Sequence, residues 1–198
     1  MTTDSHGSDG VTEAEPEPGG YTAYDPAMTT PECYTCSQEA RLDGLPLSER
    51  IAFDQHWRVA HAFDTALPGW LVLLPRRHVT AVHELTDAEA TTLGTWQVRL
   101  SRALHDVTGC IKTYVAQFAE VEGFAHVHFH VMPRMANLPQ ELRGPKVFEL
   151  LRRPAQQRVT ADLVDEIARS LHTRLTSSSE RSSSCCPAAG SRNETGPG

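Results

Sequence analysis

The stretch His126-Val127-His128-Phe129-His130-Val131-Met132-Pro133 decides how this chain is read. Successive side chains of a strand point to opposite faces, so the three imidazoles share one face. Val127, Phe129 and Val131 fill the other face, which reads as core. Neighbouring imidazoles on such a face are spaced roughly 6.5–7 Å apart, about the width of a phosphoryl group with its oxygens. A neutral imidazole is a competent nucleophile or metal ligand near neutral pH. The row therefore points to phosphorus chemistry or to a metal. The competing readings are a half-buried strand that merely carries histidine and a catalytic metal held by the triad itself. Three alternate placements by chance are improbable, and no obvious carboxylate partner stands close by for a metal.

Composition bounds what surrounds this stretch. The chain has 198 residues, enough for one domain of ordinary size, and a formal net charge of −7. That acidity argues against a sequence-independent nucleic-acid binder, although a nucleotide needs only a few local donors. No run of about 18 apolar residues is present, so no membrane partner is expected. Met1 to Gly20 lacks the basic start and apolar core of a signal peptide, and a cytoplasmic, thiol-reducing location is expected. Five cysteines, an odd number, argue against a disulfide framework. Residues 1–30, acidic and rich in Gly and Pro, are expected to be a disordered tail, and 176–198, rich in Ser, another. Cys185-Cys186 falls in the second tail and reads as solvated. A single domain over 31–175 remains.

Between the tails the pattern is α+β. Trp57-Arg-Val-Ala60 alternates as a short strand, and Gly69 introduces the apolar run Trp70–Leu74, stopped by Pro75. Thr86, with Glu89 three residues on, forms a capping box. The helix it opens carries Leu93, Trp96, Leu100 and Leu104 at helical spacing, with Val98 to one side, and stops at Gly109. Lys112–Gln117 is a further strand. A final helix after Thr160 presents Leu163, Val164, Ile167, Leu171 and Leu175 on one face. The stretch from Leu138 to Arg158, with three prolines, shows no period.

Two further features carry chemistry. Cys33-Tyr-Thr-Cys36 has the spacing of half a tetrahedral zinc site, and spacing alone leaves zinc and free thiols open. A redox pair would be expected at the start of a helix after a strand, and no strand precedes Cys33. His78, just past the buried strand in Pro75-Arg76-Arg77-His78, stands where loops often place functional groups. Taken alone it reads as a surface histidine, and Arg76 and Arg77 read as solvated charges.

Together these residues carry a resemblance. His126-Val-His128-Phe-His130-Val-Met132, Gly69-Trp-Leu-Val-Leu-Leu-Pro-Arg-Arg-His78, the capped helix after Thr86 and the Cys33/Cys36 pair resemble the histidine triad (HIT) superfamily, in its zinc-containing bacterial branch. The resemblance covers roughly Pro31 to Arg134. It implies a HIT-like α+β fold: an antiparallel sheet with the long helix packed on it, here followed by a C-terminal helix. His128 matches the nucleophile that forms a nucleotidyl-histidine intermediate, and His130 the residue that contacts phosphate oxygens. Cys33, Cys36, His78 and His126 match a structural zinc site, closed to water and substrate. Asp64 matches the acid that binds the ribose, and Gln117 is a polar contact for the nucleotide. Two positions depart from the family pattern. Glu120-Val-Glu-Gly-Phe-Ala125 has no Ser or Gln before the triad, and Trp70 replaces a usual second histidine after the glycine.

The resemblance implies a nucleotide hydrolase. Its substrates would be dinucleoside polyphosphates or nucleoside phosphoramidates, opened at the α-phosphate. Phosphate in place of water as second acceptor would make it a nucleotidyl transferase or phosphorylase. A zinc-stabilised nucleotide-binding protein with little turnover is the reading from another class. Domains of this family commonly pair, so an apolar helix face could serve a homodimer.

Overall fold

A computed structural model describes residues 33–151 and 153–183; the expectations for residues 1–30 and for Cys185-Cys186 lie outside them. Five antiparallel strands form one sheet: β1 (Ala52–Phe53), β2 (Trp57–His61), β3 (Leu71–Pro75), β4 (Lys112–Gln117) and β5 (Phe129–Arg134). Their spatial order is β1-β2-β3-β5-β4. A short helix α1 (Tyr34–Glu39) precedes the sheet, α2 (Asp87–Thr108) joins β3 to β4, and α3 (Ala161–Ser183) closes the chain. This is the α+β architecture expected from the sequence. No described helix is long and apolar enough to cross a membrane.

Period-two alternation sorts the sheet into two faces. Trp57, Val59, Leu71, Leu73, Phe129 and Val131 point to one side, where they bury Trp96, Leu100 and Leu104 of α2 and Ile167, Leu171 and Leu175 of α3. Each such side chain contributes about 1.5–3 kcal/mol relative to exposure. The other face carries Arg58 and Ala60 of β2, paired with Leu74 and Val72 of β3, and His130 of β5, paired with Val72 and Ala116. That second face holds the cavity described below.

The ends of α2 follow the sequence. Thr86 Oγ1 accepts the Glu89 N–H at 3.3 Å, and the Glu89 carboxylate accepts the Thr86 N–H at 2.8 Å. Gly109 ends the helix at φ 69°, in the left-handed region. Gly69 is required for a second reason. At φ 79°, an added Cβ would stand 3.2 Å from both Leu104 Cδ2 and Thr108 Cγ2.

Glu89 also receives the Arg77 guanidinium at 2.9 Å, so Arg77 is an engaged partner rather than a solvated charge. Hydrogen bonding from Arg77, then from Thr86, lowers the Glu89 pKa from 4.5 to about 2. A carboxyl lowered in the folded state adds stability above its unfolded pKa and loses it as pH falls through the folded value. Glu89→Gln is therefore expected to cost about 1–2 kcal/mol at pH 7. The difference from wild type should shrink as pH falls from about 4.5 towards 2, the window set by the two pKa values. Urea melts across that range check it.

Three elements differ from the sequence reading. The strand carrying the triad begins at Phe129, so only His130 lies within the ladder. β3 has ended at Pro75, and before Phe129 the backbone bond is Val127 N–H to the Val79 carbonyl at 2.7 Å. α3 runs to Ser183 rather than stopping near 175, since no Gly or Pro interrupts 176–183. Its buried seam starts at Ile167, with Leu163 exposed. The stretch 138–158 forms short 3₁₀ helices at Gln140–Leu142, Gly144–Leu151 and Ala155–Gln157. Leu138, Leu142, Val147 and Leu150 from it make a second core with Trp70 and Met132. Pro139 and Pro154 cap two of these pieces and Pro145 stands in the first turn of the third, and each piece is too short to show a period.

Candidate functional site

The site is assembled from α1, the turn after β3 and the approach to β5. Cys33 is the N-cap of α1 and Cys36 lies one turn on, so both side chains face the same way. They meet His78 and the buried His126. One donor atom from each of the four lies within 4.8 Å of every other. Cys36 Sγ is 3.1 Å from His78 Nδ1, and His126 Nδ1 is 3.7 Å from both sulfurs. A tetrahedron with bonds of about 2.3 Å to sulfur and 2.0–2.1 Å to nitrogen has edges of roughly 3.3–3.8 Å. The observed separations are close to those edges. His126 Nε2–H donates to the Pro75 carbonyl at 2.8 Å, which leaves the Nδ1 lone pair facing the thiols.

Burial is the main cause that lowers the His126 pKa to about 4, so this ring stays neutral, as a ligand must be. Burial, followed by the neighbouring Cys33, pushes the Cys36 thiol up to about 12. A cation among the four groups reverses the second shift by stabilising the thiolate. Two sulfurs and two imidazoles are a donor set that fits zinc. α1 has anchors besides these. Glu39 binds both Arg58, at 3.1 Å, and Arg76, and the Tyr34 hydroxyl donates to Glu49 at 3.2 Å. Arg76, like Arg77, is thus a structural partner and not a free charge.

His128 and His130 form the second half of the site. His128 Nδ1–H donates to the His126 carbonyl at 2.8 Å, so the lone pair of the neutral ring resides on Nε2. His130 has the opposite tautomer geometry: its Nδ1 accepts the indole N–H of Trp70 at 3.0 Å. The two rings stand edge to face with centroids 4.8 Å apart, closer than the strand spacing alone implies. Burial, then the nearby His128, lowers the His130 pKa to about 3, keeping it neutral. No buried side-chain nitrogen or oxygen among the described residues lacks a partner, so both Nε2 atoms border open space.

That space is a cavity of about 420 Å³ on the sheet face opposite α2. His128, His130 and Arg58 lie along its floor and Tyr34 and Thr35 of α1 on one wall. Phe63, Phe118, Phe124 and Phe148 contribute aromatic surface. Tyr34, Phe63 and Phe124 pack together, with centroids 5.3–5.7 Å apart. The cavity can hold a flat apolar group against its aromatic surface and present an unprotonated nitrogen and an N–H donor to a tetrahedral one.

The structure brings together Cys33, Cys36, His78 and His126, and separately His128 and His130. It does not bring Asp64 or Gln117 to them. Asp64, at φ 56°, lies outside the cavity and pairs with Arg158. Gln117 is opposite Phe129 in the β4–β5 register, which puts it on the α2 side of the sheet, away from His130. Cross-strand partners share a face, and Ala116 is the β4 residue on the histidine side. Sequence reasoning missed Arg58, fully buried beside the cavity, although its alternation with Ala60 marks that face. It also missed the role of Trp70, which it registered only as a departure from a pattern.

The HIT domain family model matches residues 47–137. A sequence comparison with curated proteins found no match. Among solved structures, the chain is similar to a Zn-bound histidine triad family protein from Mycobacterium smegmatis, with TM-score 0.58 and 16% identity over 77% of this chain and 99% of that one. A histidine triad protein from Bradyrhizobium japonicum aligns with TM-score 0.54 and 24% identity, over 69% and 95% of the two chains. A hypothetical histidine triad nucleotide-binding protein from Sulfolobus tokodaii aligns with TM-score 0.53 and 12% identity, over 73% and 93%. At these identities the likenesses show the fold.

Proposed function

Residues 47–137 form a HIT domain, and from that premise we propose that the protein is a nucleotide hydrolase acting through a nucleotidyl-histidine intermediate on His128. The observation that carries this reading is the pair of tautomers: an unprotonated His128 Nε2 beside a His130 whose Nε2 carries the proton, both bordering one cavity. In the first step His128 Nε2 attacks the α-phosphorus of a dinucleoside polyphosphate or nucleoside phosphoramidate. The P–N bond forms as the bond to the leaving group breaks. The His128 Nδ1–H stays on the His126 carbonyl, which supports the positive charge that the ring gains. His130 Nε2–H donates to a phosphoryl oxygen as charge builds there. Water then attacks phosphorus as the P–N bond breaks, its proton passing to solvent, and the nucleotide leaves with His128 back in its neutral Nδ1–H form. The aromatic surface of the cavity receives the nucleobase.

Asp64 and Gln117 have no part in this reading, because neither reaches the cavity. Zinc is assigned to Cys33, Cys36, His78 and His126 as a structural ion; bound there it cross-links α1 to the start of the catalytic segment. Reduced thiols fit a cytoplasmic location. The homodimer belongs to the same reading: β4 is a sheet edge, with Ile111, Val115 and the α2 residue Val98 exposed, and a second copy covers this edge.

Product analysis tests the reaction class. With a diadenosine polyphosphate in water, the expected products are a nucleoside monophosphate and the remaining nucleotide. With inorganic phosphate added and turned over, a nucleoside diphosphate in place of the monophosphate would assign phosphorolysis instead. Binding without products in either buffer would leave a nucleotide-binding protein.

A further inference from the structure

We propose that Trp70 is a positioning residue that locks His130 as a neutral Nε2–H donor aimed into the cavity. This rests on the reading of His128 and His130 as the phosphoryl site, and it assigns a purpose to the one position in the β3 segment that departs from the family pattern. An indole N–H donates and never accepts. Placed 3.0 Å from His130 Nδ1, it requires a lone pair on that nitrogen. The Nδ1–H tautomer and the doubly protonated imidazolium each put two donors face to face in a buried space. Both are therefore excluded for as long as the indole holds its place, and the ring proton resides on Nε2.

The indole is held firmly. Trp70 is fully buried, in the second core with Met132, Leu138 and Val147. The His130 ring is wedged edge to face between Trp70, at 5.6 Å, and Phe148, at 5.0 Å, and Trp70 itself meets Phe148 at 5.2 Å. Rotating the imidazole to exchange its nitrogens would require moving one of these two rings. A histidine at position 70 would not impose the same constraint, since it can donate or accept according to its own tautomer. Tryptophan removes that freedom. His130 then hydrogen-bonds phosphate oxygens without competing with His128 for a proton.

The test separates this role from simple packing. In wild type, a long-range ¹H–¹⁵N spectrum near neutral pH is expected to show His130 as a single Nε2–H tautomer. Trp70→Phe keeps an aromatic ring and removes the donor. It is expected to give a His130 signal averaged between tautomers and to lower kcat by about tenfold to a hundredfold, with KM within about twofold. The ceiling is the ~10²–10³ associated with losing a transition-state donor outright. A wild-type His130 observed as the Nδ1–H tautomer or as imidazolium would overturn the proposal. So would a folded Trp70→Phe that keeps one tautomer and full kcat. If that variant does not fold, the wild-type spectrum decides alone. The spectrum needs no turnover, so a failed hydrolase assignment and a failed Trp70 assignment give different results.

Discussion

His128→Ala is expected to lower kcat/KM for a dinucleoside polyphosphate by about 10⁴-fold or more, while nucleotide affinity changes little. The reason is that the reaction is divided at this nitrogen. With His128 gone, water must attack phosphorus directly, because among the described residues no other histidine of the cavity lining offers a free, unprotonated ring nitrogen. His61, also along the lining, has both ring nitrogens engaged, with the Ala62 carbonyl and the Gly69 N–H. Losses of that size are typical when a nucleophile is removed from a group that acts as a unit. The substitution should leave the fold intact, because His128 is half-buried and its ring bonds to a carbonyl two residues away rather than to another element. His130→Ala is expected to fall less, by roughly 10²–10³, as loss of a charge-stabilising donor. Steady-state kinetics on both variants check the order. Equal rates for wild type and His128→Ala would remove the catalytic assignment.

The second large effect is expected at the cysteines. Wild-type protein purified without chelator should carry about one zinc per chain, and Cys33→Ser should carry almost none. A ligand present at 1,000 times its Kd stabilises by about 4.1 kcal/mol. In a domain of this size 1 kcal/mol moves Tm by about 2–4 °C, so removing the metal should lower Tm by roughly 10 °C. The effect extends beyond stability. α1 supplies Tyr34 and Thr35 to the cavity wall and is anchored at its start by Cys33 and Cys36. Without the metal, the anchors that remain to α1 among the described residues include the ion pairs of Glu39, the Tyr34–Glu49 bond, the Tyr34 N–H bond to the Gly123 carbonyl and the aromatic contacts of Tyr34. Nucleotide affinity should therefore weaken together with Tm. Metal analysis and calorimetry on the two proteins decide it, and a metal-free wild type with an unchanged melting curve would reject the zinc assignment.

The legible parts of this protein are those where a local rule and the tertiary structure agree. The capping box of Thr86 and Glu89, the αL stop at Gly109 and the strand Lys112–Gln117 form where they were read, because each is fixed by short-range geometry. The 3₁₀ region around Val147 was invisible because its apolar residues are gathered by the fold and follow no period. The site divides along the same line. Alternation groups the three histidines, and only the family resemblance separates His126, with Cys33, Cys36 and His78, from His128 and His130. Asp64 and Gln117 were placed by position in a pattern, and one lies in a turn while the other lies one register step from the histidine face. A slip of one residue turns a strand side chain to the opposite face, and the sequence does not print the register. Trp70 shows the converse. A departure from the expected pattern hid a partner, because its hydrogen bond joins the residue just before β3 to His130, sixty positions later on β5.

In the proposed reaction a nucleotidyl group rests covalently on His128 between two displacements. Rapid quenching of wild-type enzyme with a radiolabelled dinucleoside polyphosphate, followed by alkaline peptide mapping, tests it directly. A nucleotide-mass adduct is expected on the peptide containing His128, formed and lost as fast as turnover. Full turnover with no such adduct, and with inversion of configuration at phosphorus, would contradict it.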